Sequence, residues 1–216
     1  HCCARVDFDP EGRHMARLTR LLLACCAMVL TTACTRVVSG EALPAFGAVP
    51  LDVLDAGTVL LDQSRMRSIT GAGEHLTIIH SMDGRYPVDI EDLAATAPVE
   101  CRFVFAETAT FGPDVKAFHK TTFQDPAGGR LISEGAASYH DAGTARHAFE
   151  GLVSTVKGCA DSSMGWLFVN SWDAGTDSLR MRPGSCGRDY RVLSVALLEV
   201  TFCGFPESVS DIVMTN

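Results

Sequence analysis

Residues 115–159 read VKAFHKTTFQDPAGGRLISEGAASYHDAGTARHAFEGLVSTVKGC, and this stretch decides the fold. Val115 to Gln124 and Arg130 to His140 are strand-like, and Asp125-Pro126-Ala127-Gly128-Gly129 between them is a five-residue turn signal. The pair predicts a β-hairpin. Asp141 then stands as the N-cap of the strongest helix in the chain. Its Ala145, Ala148, Phe149, Leu152, Val153 and Val156 fall at i, i+3, i+4, i+7, i+8 and i+11, which is one helical face. Lys157-Gly158 predicts the stop: a cation near the negative end of the dipole, then a residue that tolerates left-handed backbone. Cys159 follows it.

Working outward, Asp62 can cap a short helix that turns Met66 and Ile69 inward and is stopped by Gly71. Leu76 to His80 is strand-like. Pro98 suits the first turn of a second helix, with Cys101, Val104, Phe105 and Thr108 at helical spacing. Downstream, Trp166 to Trp172, Ser178 to Arg182, Asp189 to Ser194 and Ala196 to Cys203 alternate or run apolar, as strands do. Phe205-Pro206-Glu207 opens a last helical segment with Val209, Ile212 and Val213 available to pack. This order predicts an α+β fold: an antiparallel β-sheet with helices packed on one face.

The 216 residues are 47% hydrophobic and 20% charged, enough for one globular domain and a processing segment. With 18 basic against 26 acidic residues, a nucleic-acid-binding face is excluded, because phosphate contacts need clustered Lys and Arg. Residues 15–33 have the order of an export signal. Arg17 and Arg20 follow Met15, and Leu21 to Ala33 then runs without a charge. That run is too short for a membrane span, which needs about 20 helical residues. Leu30-Thr31-Thr32-Ala33-Cys34 looks like a bacterial lipobox, which implies cleavage before Cys34 and acylation of its sulfur. Residues 1–14 have no signal character and read as an over-extended gene start. Residues 34–48 read as a tether, and the globular domain as residues 49–216.

Subtracting Cys2, Cys3, Cys25, Cys26 and Cys34 from nine cysteines leaves Cys101, Cys159, Cys186 and Cys203. Four thiols in an exported domain read as two disulfides, with three connectivities open. Their wide spacing does not suit zinc, which wants paired C-x₂₋₄-C ligands. No His pair has metal-ligand spacing: His75 and His80 would point to opposite faces of a strand, and His140 and His147 lie too far apart. No nucleophile elbow occurs either. No metal or cofactor is expected. On a strand, Trp166, Phe168, Asn170 and Trp172 would share one face, where Trp166 and Trp172 could line a ligand groove or pack as core.

Leu60-Leu61, Pro98-Val99-Glu100-Cys101, the Phe149…Gly158-Cys159 helix end and Ser185-Cys186…Val200-Thr201-Phe202-Cys203-Gly204 together carry a likeness. Through them the chain resembles the extracellular sensor domain family of the mycobacterial kinase PknH, a module also carried by lipid-anchored mycobacterial proteins. The resemblance implies pairing Cys101 with Cys159 and Cys186 with Cys203. It also implies a receptor module held at the membrane by its lipid, on the extracytoplasmic face, facing a ligand or envelope protein not specified by the likeness. The expected function is non-catalytic sensing or interaction. An envelope hydrolase with paired carboxylates, or a structural envelope protein, are the alternatives. A cleft with two acidic groups, one with a strongly raised pKa, would favour the hydrolase; a flat apolar patch would favour the structural protein.

Overall fold

Local signals place the first helices. The computed structural model describes residues 55–216. Asp55 caps α1 (Ala56–Val59), and Asp62 caps α2 (Gln63–Thr70) by accepting the Arg65 N–H. Gly71 closes α2 in the left-handed conformation, with Met66 buried. The strand read at Leu76 to His80 shortens to β1 (Thr77–Ile78), and a 3₁₀ turn, His80–Met82, follows it. His75 and His80 therefore do not sit on one strand.

The helix expected from Pro98 is broken. A 3₁₀ segment, Val99–Phe105, gives way to extended backbone at Ala106 and then to α4 (Glu107–Phe111). The short α3 (Glu91–Thr96) precedes them. The break has a tertiary cause. The 88–90 segment runs antiparallel to Phe105–Glu107, pairing Asp89 with Ala106, and the Asp89 carboxylate accepts the Thr108 N–H at 3.0 Å.

The hairpin forms as read: β2 (Ala117–Asp125), a 3₁₀ turn at Pro126–Gly128, Gly129 left-handed, and β3 (Arg130–Ser138). Asp125 is buried, and Arg130 donates to it through both Nε and Nη2. Then comes α5 (Ala142–Ala160), capped by Asp141. It does not stop at Gly158. Cys159 continues the buried stripe from Val156, and the cap lies at Asp161, which also pairs with Lys157 at 2.8 Å.

The segment Trp166–Trp172 is not one strand. Gly165–Phe168 forms a helical turn, α6, and β4 begins at Ser171 and ends at Ala174. Gly165 is the reason. It presses against the Cys159 carbonyl and Ala160 so closely that a Cβ would overlap them, and its own carbonyl accepts the Val169 N–H at 2.8 Å. Asn170, left-handed at φ 54°, redirects the chain into β4. Three strands follow: β5 (Ser178–Arg182), β6 (Cys186–Leu193) and β7 (Ala196–Cys203); α7 (Glu207–Thr215) comes last. On α7 Val209 and Val213 are buried as expected. Ile212 is 45% exposed, and its place in the interface goes to Ser210, which donates to buried Asp189 at 2.6 Å.

The seven strands form one antiparallel sheet in the order β1-β2-β3-β7-β6-β5-β4. Successive side chains on a strand alternate faces, so the sheet carries two separate cores. One face packs Phe118, Ala137, Leu179, Tyr190 and Leu197 against Phe149, Leu152 and Val156 of α5. The other packs Phe123, Ile132, Val200 and Phe202 against Met66 of α2 and Val209 and Val213 of α7. The α+β reading with an antiparallel sheet holds, but helices cover both faces rather than one: the strongest helix packs on one face, and the short helices at the ends of the described chain pack on the other, because both faces carry apolar rows. Two disulfides staple it, Cys101–Cys159 between the 3₁₀ segment and α5, and Cys186–Cys203 between register partners on β6 and β7.

Candidate binding cleft

The hydrogen-bonded register sets side chains from four strands in rows on the α5 face of the sheet. One row runs Lys120, Gly135, Glu199, Tyr190; the next runs Thr122, Ser133, Thr201, Arg188. These rows would be dry core if α5 covered them. Instead the polar members form the floor of a cleft of about 410 Å³, in the range of small-molecule pockets (~300–1,000 Å³). Its wall is the segment from Ser81 to Phe105, contributing Met82, Tyr86, Val88, Ile90, Leu93 and Phe105.

Backbone pairing holds that wall upright. Gly84 and Lys120 exchange two hydrogen bonds, at 3.0 and 2.9 Å. Ile90 donates to the Phe105 carbonyl at 2.8 Å, and the Val88 N–H donates to the Glu107 carboxylate at 2.8 Å. With its backbone so committed, the wall turns large apolar side chains toward water: Tyr86 is 80% exposed, Val88 58% and Ile90 50%. An exposed apolar cluster rimmed by polar groups marks an interaction site more often than chance placement.

The floor is charged and mostly out of water. Lys120 Nζ lies 2.8 Å from Glu107 and 3.5 Å from Glu199; Gly135, between Lys120 and Glu199 in the row, leaves room for that second contact. Glu199 is 2% exposed and accepts the Thr201 hydroxyl at 2.7 Å. Burial pushes its carboxyl up, but the charges of Lys120 and Arg188 and the Thr201 bond outweigh this and hold it below the ordinary range. Arg188 donates through Nη2 to the Val104 carbonyl at 3.0 Å. Beside Glu199 in the row, the buried Tyr190 hydroxyl has no partner among the described residues.

The sequence-predicted residues fall elsewhere. Trp166 lies on α6, 65% exposed, and Trp172 lies on β4, partly buried against the α5 core. They share no strand face, and neither lines the cleft. Cys34 lies outside the described residues, as do the signal segment 15–33, the tether 34–48 and the start 1–14. What sequence reasoning missed is the set Lys120, Arg188, Glu199 and Glu107. A signal was present: Lys120 alternates with Phe118, and Glu199 with Leu197, so each charge sits on a strand's inward face.

A second polar cluster lies on the opposite face. The Asp83 carboxylate pairs with His119 Nε2 at 2.9 Å and accepts the Thr121 hydroxyl at 3.0 Å. The His119 bond, opposed by burial, holds the Asp83 carboxyl below its usual range. The hydroxyl lies 3.5 Å from His119 Nε2 but 3.0 Å from the carboxylate, and that same nitrogen is engaged by Asp83 at 2.9 Å, an arrangement unlike a nucleophile–base relay. His119 Nδ1 is buried against Gly57 of α1. The carboxyl with a strongly raised pKa, Glu134, is also on this face, away from the cleft. The two acidic groups of the cleft share Lys120. Among the described residues, no three His, Cys, Asp or Glu side chains converge as a metal site.

The sequence model of the PknH-like extracellular domain matches residues 51–214. Among solved structures, the crystal structure of the extracellular domain of PknH from Mycobacterium tuberculosis matches with a TM-score of 0.48 and 14% identity. That match covers 74% of this chain and 95% of that one. No curated protein matches the chain.

Proposed function

The chain belongs to the PknH-like extracellular domain family, and from that premise we propose that it is a lipid-anchored, non-catalytic sensor or interaction module on the extracytoplasmic side of the membrane. Cys34 is the anchor, and the cleft over Lys120, Arg188 and Glu199 is the ligand site. The observation that carries the reading is the cleft itself, with apolar side chains turned to water above a floor of buried charge. Paired disulfides suit a domain working where reductants are lacking. The cleft speaks against a purely structural role. Sharing one lysine between its two carboxylates speaks against general acid–base work, which needs carboxyl pKa values pushed apart.

A ligand that prefers the folded domain raises its melting temperature. Residues 55–216 with an intact mouth, and the same domain carrying Tyr86→Ala and Ile90→Asp, would be screened against cell-envelope lipids and wall fragments. Stabilisation seen with the intact mouth and lost in the variant is the expected outcome. Ligands that stabilise both equally would remove the cleft from the function.

A further inference from the structure

We propose that the occupant of this cleft is a single-chain amphiphile ending in a carboxylate, its chain against Tyr86, Val88, Ile90 and Leu93 and its carboxylate on Arg188. The inference rests on the reading of the cleft as a ligand site and adds the chemistry of what fills it.

Arg188 supplies the polar end. Its guanidinium carries five N–H donors in a planar fork. Nη2 donates to the Val104 carbonyl, and the Tyr190 hydroxyl lies close to the guanidinium. Arg188 forms no ion pair among the described residues, although two carboxylates lie on the same floor. Both of those are committed elsewhere: Glu199 to Lys120 and the Thr201 hydroxyl, Glu107 to Lys120 and the Val88 N–H. The Tyr190 hydroxyl lies close to the guanidinium but is neutral, and the two carboxylates act on it only through their charge, so a lining cation without an ion-pair partner calls for an anionic acceptor from outside the chain. The fork fits a carboxylate with two parallel bonds.

The floor is neutral before a ligand arrives, with two cations against two carboxylates. A single added negative charge on the fork is therefore tolerated, whereas a phosphate carrying nearly two would face Glu199 and Glu107 without a second free cation. The other end of the ligand is set by the wall. Its side chains offer no donor or acceptor along Val88, Ile90 and Leu93, and covering them with an alkyl chain gains roughly 25 cal/mol per Å². The cleft volume suits one chain of medium length.

The test is titration calorimetry on the full chain with decanoate, decanol, decyl phosphate and propionate. Decanoate is expected to bind at least about tenfold more tightly than each of the other three. Arg188→Gln should erase the preference for decanoate over decanol, and Arg188→Lys should restore part of it. Circular dichroism on both variants establishes that they fold. Equal binding of decanoate and decanol, tighter binding of decyl phosphate, or a preference surviving in Arg188→Gln would each overturn the proposal. Absence of binding by all four would overturn it as well, while a screening hit that still depends on Tyr86 and Ile90 would leave the cleft as the ligand site.

Discussion

Glu134 illustrates how much one residue contributes through its place in the sheet. It lies on β3, 5% exposed, on the face opposite the cleft, and accepts the Leu61 N–H at 3.1 Å. Burial pushes its carboxyl up to about 8, and that single backbone bond only partly offsets the effect. The folded state therefore holds a proton that the unfolded chain, with a pKa near 4.3, releases. Between those two values the folded state binds more protons, so stability falls as pH rises, by up to about 1.4 kcal/mol per unit. Glu134→Gln should flatten this slope: its urea midpoint should be nearly equal at about pH 5 and about pH 8, where the parent loses stability. A parent with no such slope would count against the buried acid. Gly187 is a second decisive position. A Cβ there would overlap the ring of Phe202, which is 2% exposed and held between β7 and α7, so the ring has nowhere to move. Gly187→Ala should lose ~1–3 kcal/mol in the same assay, the range of over-packed cores.

Elements in this chain were legible where their signals are local and hidden where a distant partner sets them. Asp62, Gly71, Asp141 and the turn at Asp125–Gly129 each act on backbone within a few residues, so α2, the β2–β3 hairpin and the start of α5 could be read directly. Asp141→Ala should accordingly cost about 1 kcal/mol, the usual worth of an N-cap, and lower the melting temperature. The break at Ala106 was not legible, because the cap on α4 is Asp89, brought across from another segment. Nor was the turn at Gly165, which depends on packing against the last residues of α5. The cleft residues suffered the same way: Lys120, Glu199 and Arg188 meet only once the strand register is fixed. The disulfides join these elements unequally. Cys101–Cys159 closes a loop with separation 58 and Cys186–Cys203 one of 17. Chain entropy assigns the first ~4 kcal/mol and the second ~3, before strain. Replacing Cys101 and Cys159 together by Ser should thus lower the urea midpoint more than replacing Cys186 and Cys203. The reverse order would mean that strand pairing, not loop closure, sets their worth.

At the scale of the whole molecule, the proposed attachment of an acidic protein to a membrane needs a physical anchor. From Cys34 onward the chain has 14 basic and 23 acidic residues, since four Arg and three acidic residues precede it. A net charge of −9 is repelled by anionic headgroups, so electrostatic docking opposes attachment. Among the described residues no helix is long and apolar enough to cross the bilayer. The acyl chains proposed on Cys34 would contribute roughly 0.8 kcal/mol per buried CH₂, and two or more chains exceed what stable anchoring needs. Two mechanisms of attachment then predict opposite results. A peripheral protein held by charge leaves the membrane in high salt, because screening shortens its interactions to a few ångströms. A lipid-anchored one stays through the salt wash and leaves only with detergent. The full chain should behave in the second way, and Cys34→Ala should appear in the soluble fraction at any ionic strength. Retention of Cys34→Ala in the membrane after a high-salt wash would place the attachment elsewhere, with the exposed apolar wall of Tyr86, Val88 and Ile90 as the next surface to test by substitution.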